Sequence, residues 1–417
     1  MILKDIRFLV TQNSGREVKK NVDVRISDSE IVEIDDDVNG DEDETEIDCS
    51  DKIVLSGLVN CHTHVAMTIL RGISDNELLN TWLFDNVVPA EQEMEEEHVY
   101  AGAKMGIAEM LKTGTTCFND MYFNEERVAD AIEEMGIRAS LGYGIVDQGQ
   151  DTNSEISASK KFIDYISGRE RIRAAVNPHS VYTCSEKAIE KSKDQSEEYD
   201  IPVHIHVSET ESENKDFIEE KGQTPFEYLE EKGLLDRKTI AAHCVNLSEN
   251  DIEIMKQNNV GAAHCPSANL KLGSGIAPVP ELLEKGIAVG LGTDGPASNN
   301  SLNMFQEMKT ASLIQKNSDP RTMSAQQVLD MATVNGAEIL GLEKVGKIKE
   351  GWKADLIAVE IDESMRPARK ENIVSHLVFS DPDVSETIVD GELLVKDGEL
   401  IEEIQVEDFE DLSNELW

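Results

Sequence analysis

The chain has few basic residues, few aromatic residues and no long apolar run. Lysines and arginines number 39 against 83 aspartates and glutamates, which gives a formal net charge of -44 over 417 residues. This charge argues against nucleic acid or an anionic membrane surface as a partner, because both are negatively charged. No uninterrupted apolar stretch is long enough to cross a bilayer. We therefore expect neither a nucleic-acid nor a membrane partner.

The acidic residues are spread along the chain and are not collected in one tail. Segments 91–97, 194–200 and 209–220 are all rich in them. Acid over the whole surface, with few lysines, fits a salt-rich cytoplasm in which high ionic strength screens the self-repulsion. The first five residues lead directly into an alternating strand pattern, without the features of a signal peptide. We expect a cytoplasmic protein from a halophilic organism.

Paired cysteines of the Cys-x-x-Cys type are also missing. The chain has six cysteines, at positions 49, 61, 117, 184, 244 and 265. A disulfide scaffold is not expected in an intracellular chain of this length. Cys61, Cys244 and Cys265 each adjoin a histidine. We interpret them as small buried side chains that pack behind strands rather than as metal ligands.

Between residues 56 and 344, apolar strands alternate with amphipathic helices, which is typical of parallel βαβ units. We predict strands at 57–62, 115–119, 138–143, 171–177, 202–207, 239–244, 260–264 and 288–292. Predicted helices between them include 91–112, 125–135, 185–199 and 248–257, and two more follow at 302–316 and 325–340. Eight such units predict an α/β fold with a (β/α)8 barrel of the TIM type over residues 56–344.

Both ends of the chain have the pattern of β-structure. Residues 2–10, 22–26 and 31–34 alternate apolar and polar side chains, and residues 355–359 and 387–389 are also predicted strands. We predict that residues 1–55 and 345–417 join in one smaller, discontinuous β-sandwich domain. The acidic end of the chain, from residue 402, is expected to be partly helical or frayed.

Histidines concentrate at the predicted strand ends. Seven of the nine occur there, at positions 62, 64, 179, 204, 206, 243 and 264, and only His98 and His376 lie elsewhere. A barrel carries its chemistry at the C-terminal ends of its strands. His62 and His64, two apart on a strand, project to the same side. Two converging imidazoles suit zinc, although such a pair alone is also compatible with ordinary hydrogen-bonded residues.

Asp294 completes a possible set of metal ligands. It follows a buried strand beside glycines, a position typical of a ligand or a helix N-cap. With His62, His64 and His206 it gives three histidines and one aspartate, which leaves a coordination position open for water, as in catalytic zinc sites. No lysine lies at a strand end where it could be carboxylated to bridge two metal ions. This favours one metal ion per subunit.

The fifth predicted strand brings further candidates. Its alternation points His204 and His206 inward, and His206 is the better ligand because it lies nearer the C-terminal end. Glu209 follows at the mouth of the barrel, where a general acid or base is needed, or it only begins the next acidic helix. His179 and His243 are interpreted as ligands or as substrate contacts.

Eight motifs resemble, in the same order, those of the amidohydrolase superfamily, and within it the S-adenosylhomocysteine/5'-methylthioadenosine deaminase group. They are residues 57–64, 67–72, 177–180, 206–210, 242–244, 267–278, 292–295 and 346–356. The resemblance covers nearly the whole chain. It implies a hydrolytic deaminase that replaces the adenine 6-amino group of S-adenosylhomocysteine, 5'-methylthioadenosine, 5'-deoxyadenosine or adenosine, giving an inosine-type product and ammonia.

The resemblance also implies roles for single residues. It implies that one Zn²⁺ is bound by His62, His64, His206 and Asp294, and that Asp294 takes a proton from the activated water. Glu209 then delivers a proton to ring N1, and His243 steadies the attacking oxygen. Substrate contacts are implied for Glu91, which binds the ribose hydroxyls, and for His179, Glu209 and Asp294. Trp82 and Phe84 are expected to line the pocket, with core packing as the alternative for at least one of them.

One departure from the family pattern concerns the substrate. Some members place arginines in the loop after the third strand, whereas residues 143–151 contain none. This speaks against S-adenosylhomocysteine more than against the other three nucleosides. The alternatives are an aminohydrolase or dechlorinase acting on a guanine, pterin or triazine ring and, in another class, a non-enzymatic zinc-bearing scaffold. We also expect a homo-oligomer. The preferred nucleoside and the native metal, whether zinc, iron or manganese, stay open.

Overall fold

Eight parallel strands form the central barrel of the chain. A computed structural model describes residues 1–41, 44–236, 238–317, 319–402, 404 and 406–417. The barrel strands are Leu58–Thr63, Thr115–Tyr122, Arg138–Ile145, Ile172–Ala174 with Asn177–Pro178, Val203–Val207, Thr239–His243, Gly261–His264 and Val289–Leu291. Strands that follow one another along the chain pair in parallel. All eight predicted strands are present.

Two connections complete the barrel. Parallel bridges join Val176 to Val203 and Ser180 to His206, which links the fourth strand to the fifth. On the other side, the backbone N–H of Asp294 donates to the carbonyl of His62 over 3.0 Å, which brings the end of the eighth strand to the first. The predicted (β/α)8 barrel is therefore confirmed.

Amphipathic helices surround these strands. They are Glu96–Lys112, Glu125–Met135, Thr152–Ile166, Glu186–Tyr199, Glu211–Lys221, Pro225–Glu231, Glu249–Gln257, Pro266–Lys271, Val279–Glu284, Pro296–Asn299, Met304–Gln315, Ala325–Met331 and Val334–Ile339. Their boundaries follow local chemistry. The hydroxyl of Ser185 accepts from the N–H of Ala188 at one helix start, and Gly136 ends another helix in the left-handed conformation.

The segment after the first barrel strand differs from the prediction of one long helix over 91–112. It contains short helical stretches at Val65–Leu70, Leu79–Thr81, Trp82–Val87 and Val88–Glu93 before the helix Glu96–Lys112 begins. Met94 and Glu95 are extended. Glu95 caps the following helix together with His98, whose Nδ1 accepts from the N–H of Glu95 over 3.0 Å. The cap stops the preceding helix because Glu95 must leave the helical conformation to form it.

Two further sheets are built from both ends of the chain. One has the strand order Glu30–Asp35, Val22–Ser27, Ile2–Ile6 and Glu46–Asp48, and the other has the order Glu399–Leu400, Glu392–Lys396, Val384–Val389, Leu356–Glu360, Lys52–Ser56, Phe8–Val10 and Val18–Lys19. Buried apolar side chains from both sheets, such as Leu3, Val24, Val54 and Leu356, share one cluster. The smaller β-domain contributed by both chain ends is thus confirmed.

Two helices in the C-terminal part pack toward the barrel. Ile373–Phe379 lies against Met304–Gln315 and Ala325–Met331, and Val406–Glu415 lies against Glu96–Lys112 and Val65–Leu70. The hydroxyl of Ser413 donates to the carbonyl of Ile69 over 3.1 Å. The exact domain boundaries, 1–55 with 345–417 and 56–344, stay a prediction. Within the described part of the chain, no helix combines the length and the hydropathy that a membrane span needs.

Candidate active site

The C-terminal ends of four barrel strands bring together a compact group of side chains: His62, His64, His206, His243 and Asp294. Asp294 Oδ1 lies 3.3 Å from Nε2 of His62 and 3.4 Å from Nε2 of His64. Nε2 of His206 lies 3.3 Å from Nε2 of His64. The four predicted metal ligands are therefore neighbours in space, and His243 adjoins them.

The hydrogen bonds of these imidazoles favour a cation at their centre. Nδ1 of His64 donates to the carbonyl of Met121 over 2.6 Å, and Nδ1 of His206 donates to the carbonyl of His179 over 2.7 Å. A neutral imidazole carries only one N–H, so the two Nε2 atoms then face each other as lone pairs. Nε2 of His62 is buried and has no hydrogen-bond partner among the described residues. A metal ion fits this donor set, because it accepts lone pairs from all three rings.

The backbone is strained where these side chains are presented. Ser208, His243 and Asp294 have φ values of 53°, 71° and 61°, in the left-handed region that residues other than glycine rarely adopt. Gly292 allows a close approach nearby, because a Cβ atom there would lie 2.9 Å from Cβ of His62. These features hold the end of the eighth strand tightly against the first.

Glu209 lies beside the imidazole group and faces His243. Nε2 of His243 is 3.8 Å from Oε2 of Glu209, and the hydroxyl of Ser274 donates to Oε1 over 3.3 Å. Nδ1 of His243 is fixed by Oδ1 of Asn269 at 2.8 Å, so the ring donates there and keeps Nε2 toward the centre. A buried carboxylate and a buried imidazole thus border the same side of the candidate metal position.

A cavity of about 640 Å³ opens onto this group. His179 and Glu91 both line it. The carboxylate of Glu91 accepts from the hydroxyl of Tyr122 over 2.8 Å, and Nδ1 of His179 lies 3.0 Å from the hydroxyl of Thr183. Seven of the eight predicted site residues therefore line this cavity, and the eighth, His62, is completely buried beside them.

The outer wall of the cavity is largely apolar. Trp82 and Phe84 both line it, as expected, but Trp82 is 5% exposed whereas Phe84 is 47% exposed. Trp82 also packs in an apolar core cluster, which matches the alternative of core packing for one of the two. Among the described residues that line the cavity there is no lysine and no arginine.

The amidohydrolase family profile matches residues 53–394 of this chain. The chain belongs to the amidohydrolase family. A 5'-deoxyadenosine deaminase of Methanosphaera stadtmanae is 45% identical to it over 391 residues, which make up 92% of this chain and 91% of that protein. A 5-methylthioadenosine/S-adenosylhomocysteine deaminase of Halothermothrix orenii is 40% identical over 412 residues, 96% of this chain and 95% of that protein.

Among solved structures, an adenosine deaminase from Xanthomonas campestris with bound zinc superposes with a TM-score of 0.92. It is 30% identical in sequence, and the match covers 100% of this chain and 97% of that one. The likeness therefore extends over the barrel and the smaller sheets alike.

Charges in the site of this amidohydrolase are set by burial and by Asp294. Burial lowers the pKa of His62 to about 4, although Asp294 opposes the shift. At His64 burial acts in the same direction, but the hydrogen bond and charge of Asp294 outweigh it and raise the pKa to about 9. Burial also disfavours charged Asp294, yet the adjacent rings of His62 and His64 hold its pKa well below the usual range. The negative charge of Asp294 can thus be balanced either by protonated His64 or by a metal ion.

Glu209 and His243 are shifted as a pair. Burial raises the pKa of Glu209, and the neighbouring His243 only partly counteracts this. Burial would lower the pKa of His243, but the carboxylates of Glu209 and Asp294 outweigh it, so that its pKa is raised. In this amidohydrolase Glu209 therefore keeps its proton to higher pH than a free glutamate does, and His243 keeps its proton to higher pH than a free histidine does.

Some contacting residues of this amidohydrolase were not found from the sequence. Tyr122 fixes Glu91, Asn269 fixes His243, and the hydroxyl of Ser298 donates to Oδ2 of Asp294 over 2.6 Å. Tyr122 ends a barrel strand, which is a usable signal. Ser298 lies in the helix that directly follows Asp294, where side chains can turn back toward the strand end. Asn269 lies within the motif 267–278, but its contact with His243 was not predicted, because a separate helix brings it to the site.

Proposed function

We propose that this chain is a zinc-dependent hydrolytic deaminase acting on the 6-amino group of adenosine-type nucleosides. The observation that carries the proposal is the centre formed by His62, His64, His206 and Asp294, with Glu209 on one side of it. Three inward imidazole nitrogens and one carboxylate are a catalytic zinc set, and the buried glutamate is placed for proton transfer. The relatives named as deaminases support the choice of reaction.

His62, His64, His206 and Asp294 are the proposed ligands of one Zn²⁺ per subunit. Bound zinc would lower the pKa of a water molecule toward neutrality and so supply a nucleophile. The carbonyls of Met121 and His179 hold two of the ligand rings by their Nδ1 atoms. This fixes the direction of the Nε2 lone pairs, which is the usual function of such outer contacts.

The proton transfers are assigned to three groups. Asp294 takes the proton from the attacking water, whose oxygen forms a bond to C6 of the adenine ring. Glu209, whose pKa is raised by burial, delivers its proton to ring N1, so that negative charge does not build up there. His243 hydrogen-bonds the attacking oxygen. The C6–N bond then breaks, and the amino group takes up the proton held by Asp294 and leaves as ammonia. The oxygen bound to C6 gives its remaining proton to Glu209 and becomes the carbonyl of the inosine-type product.

Glu91 and His179 are the proposed binding residues for the rest of the substrate. Glu91 is half-buried, and its hydrogen bond from Tyr122 leaves further lone pairs free to accept from two ribose hydroxyls. His179 lines the same cavity. The candidate substrates are 5'-deoxyadenosine, 5'-methylthioadenosine, S-adenosylhomocysteine and adenosine.

The cellular location, the salt adaptation and the oligomeric state of the enzyme are also inferred. We propose a cytoplasmic protein, supported by six buried cysteines with free thiols, as is usual in a reducing compartment. The excess of acidic residues supports adaptation to high salt. A homo-oligomer is proposed from the resemblance alone, and light scattering in high salt would measure it.

An ultraviolet assay of adenine-to-hypoxanthine conversion in high salt tests the reaction. The panel contains adenosine, 5'-deoxyadenosine, methylthioadenosine and S-adenosylhomocysteine, with guanine alongside. Turnover of the nucleosides is expected. If a folded, zinc-loaded protein left all four nucleosides unchanged, the reaction assignment would be refuted, and activity on guanine would point to another ring.

A further inference from the structure

Behind the proposed zinc site, the ring of His204 lies directly against the ring of His62. His204 belongs to the strand Val203–Val207 and is completely buried. Its Nε2 is 2.9 Å from Nδ1 of His62, and the ring planes cross at 78°. This distance is that of a hydrogen bond, and for Nε2 of His62 to offer its lone pair to a metal ion, Nδ1 of His62 must carry the proton and donate it to Nε2 of His204. The contact holds His62 at Nδ1 while its Nε2 faces Asp294.

The other side of the His204 ring is anchored as well. The side-chain amide of Asn119 lies 3.0 Å from Nδ1 of His204 and 3.0 Å from the carbonyl oxygen of Cys61. Cys61 directly precedes His62 in the first strand. The contacts therefore form a closed circuit, from the backbone beside His62 through Asn119 and His204 to the ring of His62. All members of the circuit are buried, so water does not compete for these contacts.

The three proposed imidazole ligands are held in two different ways. His64 and His206 each donate from Nδ1 to a backbone carbonyl, which the fold itself supplies. At His62 the partner of Nδ1 is a side chain, His204. The orientation of this one ligand therefore depends on a residue that substitution can remove without altering the backbone.

We propose that His204 is a positioning residue of the metal site, which fixes the ring of His62 so that Nε2 points at the metal. The inference rests on the proposed zinc site, and it assigns no substrate contact to His204. Removing an outer partner of a metal-bound histidine typically weakens metal affinity about 10- to 100-fold. Affinity for zinc, rather than turnover, is therefore the quantity that reports on this role.

The chain offers a matched control in His264. It is also a histidine at the end of a barrel strand, 2% exposed, but neither of its ring nitrogens has a hydrogen-bond partner among the described residues. Replacing it by leucine removes a buried imidazole of the same size without breaking the circuit around His62. A general effect of losing a histidine from the barrel would appear in this variant as well.

The experiment measures the zinc affinity of metal-stripped protein in high salt, by competition with a chromophoric chelator, for wild type, His204→Leu, His204→Gln and His264→Leu. His204→Leu should bind zinc about 10- to 100-fold more weakly. His204→Gln should recover most of the affinity, because its amide offers both a donor and an acceptor toward Nδ1 of His62. His264→Leu should match wild type. Thermal melting of the zinc-free forms shows that all four are folded.

Equal zinc affinity of His204→Leu and wild type would overturn the proposal. So would equal losses in all three variants, because they would reflect general damage to the barrel. If His204→Leu does not fold, Asn119→Leu replaces it. That variant removes the anchor of His204, and unchanged zinc affinity there would again overturn the proposal.

The two proposals fail in different ways. A wild-type protein that binds zinc but deaminates none of the nucleosides refutes the proposed reaction and leaves this comparison intact. A wild-type protein that takes up no zinc refutes both.

Discussion

Replacement of Glu209 by glutamine removes the proposed proton transfer to ring N1 and keeps the shape of the side chain. The two side chains have the same shape, and the hydrogen bond from Ser274 to Oε1 can be kept. What is lost is a proton that the carboxyl group can release to ring N1. General acid catalysis contributes about 10²- to 10⁴-fold in rate, which corresponds to about 3 to 5 kcal/mol of barrier. We expect kcat to fall by that factor.

The zinc content of Glu209→Gln should equal that of wild type, because Glu209 is outside the proposed ligand set. Metal analysis and steady-state deamination of 5'-deoxyadenosine measure both quantities. The control is Glu155→Gln, since Glu155 also lines the cavity but accepts from Tyr143 over 3.1 Å. It should keep kcat near wild type. A Glu209→Gln enzyme within about tenfold of wild type would refute general acid catalysis by this residue.

The pH dependence provides a second measure of the same group. Burial raises the pKa of Glu209, so its proton is held to higher pH than on a free glutamate. Turnover by the wild type should fall as the pH rises through this pKa, because the acid form is lost. The Glu209→Gln variant should lack this fall in turnover at high pH. If the variant showed the same fall as wild type, the titration of another group would be its cause.

Four further outcomes are expected. Dialysis against a chelator should abolish deamination and added Zn²⁺ should restore it; full activity of metal-free protein would exclude a metal mechanism. S-adenosylhomocysteine should have at least about tenfold lower kcat/KM than methylthioadenosine, because no lysine or arginine among the described lining residues can pair with its carboxylate; equal values would contradict this. Arg138→Leu should lower the free energy of unfolding by about 3 to 5 kcal/mol and Tm by about 4 to 6 °C. Nε of Arg138 donates to Asp355 over 2.7 Å, and its removal leaves a buried carboxylate without this cation. A calorimetric scan that matches wild type would refute this prediction. His376→Ala and His98→Ala should keep normal zinc content and turnover, although loss of the cap at Glu95 should cost His98→Ala about 1 kcal/mol in unfolding free energy.

The barrel could be predicted because each of its strands carries its own signal. Short buried strands such as Val203–Val207 and Thr239–His243 carry histidines at or near their C-terminal ends and are followed by capped helices. Buried parallel strands must be apolar on both faces, so the pattern is visible without any knowledge of partners. The grouping of His62, His64, His206 and Asp294 then followed from the rule that strand ends of a barrel share one face.

Contacts made between distant segments could not be predicted in this way. The division of the predicted helix 325–340 into Ala325–Met331 and Val334–Ile339 depends on Thr333, whose φ of -134° and ψ of -90° are not helical. Its hydroxyl accepts from the amide of Gln12 over 2.8 Å, a residue near the other end of the chain. Such a partner lies outside any local pattern, because nothing in the local sequence specifies which distant side chain will arrive.

The order of strands in the seven-stranded sheet has a consequence for synthesis on the ribosome. Lys52–Ser56 pairs on one side with Phe8–Val10 and on the other with Leu356–Glu360. The first neighbour has already been made when Lys52–Ser56 leaves the ribosome, whereas the second appears only after the whole barrel. Throughout that interval the nascent chain exposes an unpaired, apolar strand edge, which is a site of aggregation. A chain interrupted after the barrel would carry every proposed zinc ligand and still lack the strand that covers this edge.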